Sequence, residues 1–116
     1  MDKKLLNEAV LCLGRKDEVE KLLEELNKKD DVLYVLNNVE GFKEMVEIIK
    51  KYINNEYTDI SATSIETMLA SIMYVVNGND LIPDAIPIAG ARDDEACIKE
   101  AIEITKEDIN KYKMSH

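Results

Sequence analysis

Several residue types that carry common chemistries are scarce in this chain of 116 residues, and each shortage closes a class of function. The single histidine is His116, in the last position, so no ordered imidazole base, imidazole metal ligand or Ser-His or Cys-His pair is available. Cysteine occurs only as Cys12 and Cys97, far apart and without the CxxC spacing of a redox or zinc centre, and both read as reduced thiols packed like small hydrophobes. The four glycines, Gly14, Gly41, Gly78 and Gly90, stand alone and none precedes Lys-Ser or Lys-Thr, which excludes a phosphate-cradling loop. Tryptophan is absent, and Phe42 and five tyrosines are scattered without interleaved Lys or Arg, so nucleobases find no stacking platform.

Basic residues are also in deficit. Asp and Glu number 24 against 15 Lys and Arg, a net charge of −9, and no third of the chain reverses the sign. Nucleic acid and anionic lipid surfaces are repelled on average, because binding either relies on cations that neutralise phosphate. Long apolar runs are missing too. The longest, Ile65 to Val76, contains Glu66 and stops at Asn77, short of the about 20 residues that span a bilayer. Met1-Asp2-Lys3-Lys4 leads into an amphipathic stretch interrupted by Asn7 and Glu8, unlike a signal peptide, and the expected compartment is cytoplasmic.

What is present is helical patterning. Hydrophobic residues make up 46% and charged residues 34%, a balance that folds as one domain without disulfides or a structural metal. Leu5, Leu6, Ala9, Val10 and Leu13 recur at three and four before Gly14, which predicts a helix from Lys3 to Leu13. Asp17 with Glu20 has capping-box spacing ahead of Val19, Leu22, Leu23 and Leu26, a second helix ending near Lys29. Asp30 or Asp31 is positioned to cap a short third helix, Val32 to Val39. Phe42, Met45, Val46, Ile49, Tyr52 and Ile53 trace a fourth, to about Asn54. Thr63 and Glu66 offer a capping box for the most apolar segment, Ile65 to Val76, the expected central helix. A last helix is predicted from Arg92 to about Met114 through Cys97, Ile98, Ala101, Ile102, Thr105, Ile109 and Tyr112. The reading is an all-α, compact single-domain bundle of about six helices, with residues 1–40 an extension packed on a helical domain of residues 41–116.

Both prolines, Pro83 and Pro87, fall between Gly78 and Gly90, where each removes a backbone donor and prevents one regular helix. The surrounding residues Tyr74, Asp80, Leu81, Ile82, Pro83, Asp84, Ile86, Pro87, Gly90, Asp93 and Asp94 follow the order and spacing of the pattern Tyr-Leu-x-x-Pro-x-Asp-Leu-Ile-Pro-Asp-x-Ile-Pro-x-x-Gly-x-x-Asp-Asp. This segment resembles the YkvA-like family of unknown function, and the likeness extends more weakly over residues 42 to 105. The chain departs from the family pattern at Gly78, where proline is usual, and at Ala85, Ala91 and Arg92, where larger apolar residues are common. The resemblance implies an all-helical fold with no established activity.

Four carboxylates, Asp80, Asp84, Asp93 and Asp94, are the candidate metal set, since converging carboxylate oxygens suit Mg2+ or Ca2+ and would otherwise repel one another. Each also has a structural reading. Asp80 caps a turn that begins Leu81-Ile82-Pro83, Asp93 or Asp94 opens the last helix, and Asp84 caps a second turn or pairs with Arg92. Caps and ion pairs explain each aspartate singly, so the favoured function is a non-enzymatic helical protein-interaction module with no cofactor and with a protein partner, for which the acidic faces would favour a basic one. The alternatives are a Mg2+- or Ca2+-dependent enzyme or binding protein using the four aspartates, and an acidic inhibitor that occupies a basic protein groove. A surplus apolar face on the central helix leaves a homo-oligomer open.

Overall fold

The structure is a computed structural model and describes residues 3–77 and 91–115, with side chains from Asp94 onward in the second stretch. Among the described residues there are seven helices and no strand. They are α1 (Lys3–Leu13), α2 (Lys16–Asn27), α3 (Asp30–Leu36), α4 (Phe42–Ile53), α5 (Ala62–Asn77), α6 (Ala91–Ile104) and α7 (Lys106–Ser115). The all-α expectation stands, with one helix more than the periodicity suggests.

The extra helix comes from a break at Thr105. Its side-chain hydroxyl donates to the Ala101 carbonyl at 2.8 Å while its own N–H also reaches that carbonyl, at 3.0 Å. A threonine that bonds back in this way competes with the helical ladder and bends it, and here α6 ends at Ile104 and α7 begins at Lys106. Periodicity misses the break because Thr105 is buried like any stripe residue.

α5 occupies the centre. Ten of its sixteen positions are buried, including Ile65, Met68, Leu69 and Ile72, and it packs against α1, α2, α4 and α6. Helices that are apolar on all sides bury all sides, so the other elements form a shell round this one. α1 supplies Leu5, Ala9 and Cys12, and α2 supplies Val19, Leu22, Leu23 and Leu26, to the same core that α4 enters through Phe42, Met45, Ile48 and Ile49.

Helix starts differ from the sequence expectation in a consistent way. The residues before α2 and α3 are Arg15 and Lys29, neither of which makes a side-chain cap, and Asp17 and Asp30 sit one or more places inside the first turn. Their charge favours the positive end of the helix without closing a capping box. At α5 the cap is Ser61, not Thr63: the Ser61 Oγ accepts the Ser64 N–H at 3.1 Å. α4 begins at Gly41, whose φ of 96° is a left-handed conformation that glycine adopts freely. A Cβ there would lie 3.2 Å from the Ile102 Cγ2 of α6, so the position also sets how closely the α4 entry approaches α6.

Candidate functional site

The motif residues divide between described and undescribed parts of the chain. Tyr74 is half-buried near the end of α5. Asp94 is half-buried in the first turns of α6, and Asp93 is part of the same helix. Asp80, Pro83, Asp84, Pro87 and Gly90 lie outside the described residues, as does the side chain of Asp93, so the convergence that would distinguish the metal alternative from separate caps falls there too. Among the described residues no group of three or more His, Cys, Asp and Glu side chains is placed to hold a metal ion. α5 and α6, which flank the motif, pack against each other.

Cys97 shows the electrostatic character of that α6 surface. Burial pushes its thiol up from 9.0 to about 12, with the negative charges of Glu100 and Asp94 acting in the same direction. A thiol held protonated is a poor nucleophile, so Cys97 serves packing. Cys12, buried in α1, is raised by burial as well, and both cysteines are free.

A groove of about 350 Å³ lies between α1, α2 and the end of α5, lined by Leu11, Cys12, Leu22 and Met73 together with Glu8, Arg15 and Glu18. Leu11 is 66% exposed and its neighbour Val10 is 47% exposed, so the α1 side of this groove presents apolar surface to solvent. Arg15 and Glu18 form an ion pair at 3.1 Å, which leaves Glu8 to set the sign of the lining charge.

Among the described residues, a dense set of specific side-chain contacts lies at the other end of α5 and was not anticipated from sequence. α4 ends in a turn where the Asn55 φ is 60° and the N–H groups of Glu56 and Tyr57 return to the Lys51 carbonyl at 2.8 and 3.3 Å. Asparagine tolerates this left-handed geometry better than most residues. The turn aims Tyr57 inward, where its ring meets that of Tyr112 edge-on at 5.1 Å and 78°. The Tyr112 hydroxyl donates to Glu47 Oε1 at 3.0 Å, and the Lys51 ammonium lies 5.2 Å from the Tyr112 ring centre. Its hydrogen bond to Tyr112 raises the Lys51 pKa, and Glu47 and Glu56 add to that. Two exposed contacts extend the set: Lys111 Nζ with Asp59 at 2.8 Å, and the Ser61 hydroxyl donating to Asp108 at 3.3 Å. Burial raises the Tyr57 hydroxyl pKa, reinforced by Asp59. The sequence places Tyr112 on the stripe of the last helix but carries no signal that pairs it with Tyr57.

Residues 67–98 match DUF1232, a protein family of unknown function. The matched DUF1232 segment runs from Thr67 in α5 to Ile98 in α6 and encloses the Tyr74 to Asp94 motif, consistent with the YkvA-like resemblance. It brings no reaction with it. No curated protein and no solved structure matches the chain. The α4–α7 contacts lie outside the DUF1232 segment, whereas Met73 and Asn77 of the groove lie within it. Among the described residues no helix is long and apolar enough to cross a membrane.

Proposed function

We propose that this chain is a small helical protein-interaction module that takes a basic, amphipathic segment of a partner protein. The observation that carries the reading is the exposed apolar edge of α1, Val10 and Leu11, beside a groove whose lining charge is negative, on a chain of net charge −9. Apolar contact supplies affinity and the acidic field favours encounter with cations. In this reading residues 1–40 are the extension that furnishes the α1 and α2 walls of the groove. Residues 41–116 are the helical domain that carries the DUF1232 segment.

The test is titration of the full chain with a Lys- and Leu-rich amphipathic peptide, compared with a Glu- and Leu-rich peptide of the same pattern. Preferential binding of the basic peptide, weakened by salt and by Leu11→Ser, is the expected result. Equal binding of both peptides, or affinity unchanged in Leu11→Ser, removes the reading. The metal alternative on Asp80, Asp84, Asp93 and Asp94 predicts instead that Mg2+ or Ca2+ raises the melting temperature, because a ligand of the native state alone must stabilise it.

A further inference from the structure

We infer that α7 is a releasable strap, which opens as one unit about Thr105 while the other helices stay folded. Little of α7 is held by burial. Ile109 and Tyr112 are its buried residues, each 3% exposed, and beyond the Ile109 N–H bond to the Thr105 carbonyl its attachment consists of individual side-chain contacts. Those contacts reach three separate places: Glu47 and Lys51 on α4, Asp59 on the approach to α5, and Ser61 at the α5 cap. A ten-residue helix is marginal in water by itself, so losing the docking contacts also melts the helix, which makes release cooperative.

The hinge is built for this. The Thr105 N–H and hydroxyl both bond to the Ala101 carbonyl, on the α6 side, and across the break the Ile109 N–H donates to the Thr105 carbonyl at 3.1 Å. By giving up the Ile109 bond α7 can leave while the two bonds to Ala101 keep Thr105 seated in the core, where it is 1% exposed.

Closure has a defined consequence. The Ser61 Oγ that accepts the Ser64 N–H is the same oxygen that donates its proton to Asp108, so the docked strap orients the cap of α5. α5 and α6 carry the DUF1232 segment at one end, and at the other end α7, the continuation of α6, returns to the start of α5. Release leaves the packing of α5 on α6 to hold the pair and uncovers the Tyr57 ring.

Amide hydrogen exchange on the full chain decides the matter. A strap predicts one shared rate for the hydrogen-bonded amides of α7, faster than that of the α5 core. Tyr112→Phe, which keeps the ring and removes the hydroxyl bonded to Glu47, should speed that block on the order of tenfold, as expected for a bond to a charged acceptor. Ile72→Val, in the α5 core and mild enough to fold, should speed the α5 amides several-fold and leave the α7 block unchanged. An α7 block that accelerates together with α5 in Ile72→Val would show that the helix opens only with the whole molecule and would overturn the inference. So would rates that climb smoothly toward Ser115 and ignore Tyr112→Phe, because that is fraying from an end.

Discussion

α5 and α7 are both helices of this fold, yet they are held in place by different physics. α5 is buried at Ile65, Met68, Leu69 and Ile72 and touches four other helices, so its position is over-determined by packing. α7 buries Ile109 and Tyr112 and relies on Glu47, Asp59 and Ser61 for the rest. Dispersion and apolar burial are spread over many contacts and respond little to the loss of any polar one. A helix attached through a few directional bonds responds to each of them. The comparison therefore says where the molecule is rigid and where it is adjustable.

The largest effect tests the rigid side. Leu69→Ala removes a fully buried side chain from the middle of α5 and should lower unfolding stability by about 2 to 5 kcal/mol, read from the denaturant midpoint at unchanged slope. Ile109→Ala makes a similar truncation in α7, but its cost has a ceiling. Once the substitution exceeds the free energy that docks α7, the helix undocks and the remaining fold loses nothing more. The expected outcome is a smaller shift of the global midpoint than for Leu69→Ala, with a loss of helical signal before the main transition. Equal shifts without that early loss would erase the contrast between the two helices.

The same contrast explains what could be read from sequence. α1 and α4 were legible almost to the residue, because Gly14 and Gly41 punctuate clean stripes of period 3.6. The central place of α5 was legible because an all-round apolar helix has nowhere else to go. Caps were not, since Asp17 with Glu20 and Thr63 with Glu66 satisfy the spacing rule while the chain enters its helices elsewhere, at Arg15 and Ser61. The Thr105 break was hidden because a buried threonine keeps the stripe intact and reveals its bend only through a bond to Ala101. The Tyr57, Tyr112 and Glu47 set joins α4, a loop and α7, and no local pattern encodes such distant pairings. Of the motif, the sequence located Tyr74 near the end of the apolar helix and Asp94 at the start of the next, and both are found there. Asp80, Pro83, Asp84, Pro87 and Gly90 lie beyond what the structure describes.

Ser61 joins the two regimes, so its removal is the intermediate case. Ser61→Ala deletes the α5 cap and the contact with Asp108 together, at a cost of about 1 kcal/mol in the global midpoint. Ser61→Asp separates the two roles, because a carboxylate still accepts the Ser64 N–H but repels Asp108. Stability should largely return through the cap, while amide exchange in α7 stays fast. If α7 instead regains its protection, the Asp108 contact has no part in docking the helix.

The smallest effect is expected at Lys111, and it bears on whether the α7 attachment is ionic or aromatic. The Lys111 to Asp59 contact is short at 2.8 Å, but its two side chains are 52% and 71% exposed, and solvent and salt screen pairs of that kind. The hydrogen bond to Asp59 raises the Lys111 pKa above its ordinary 10.5. A raised lysine stabilises the fold fully below 10.5, where the unfolded chain is also protonated, and loses that contribution as pH climbs through the folded value. Lys111→Gln should therefore leave the unfolding midpoint near that of the parent at neutral pH and flatten only the alkaline fall in stability above 10.5. Exchange of the α7 amides should quicken less in Lys111→Gln than in Tyr112→Phe. The reverse order would make α7 an electrostatic attachment, sensitive to salt before anything else, and would shift the weight of the contrast from the aromatic pair to the surface charges.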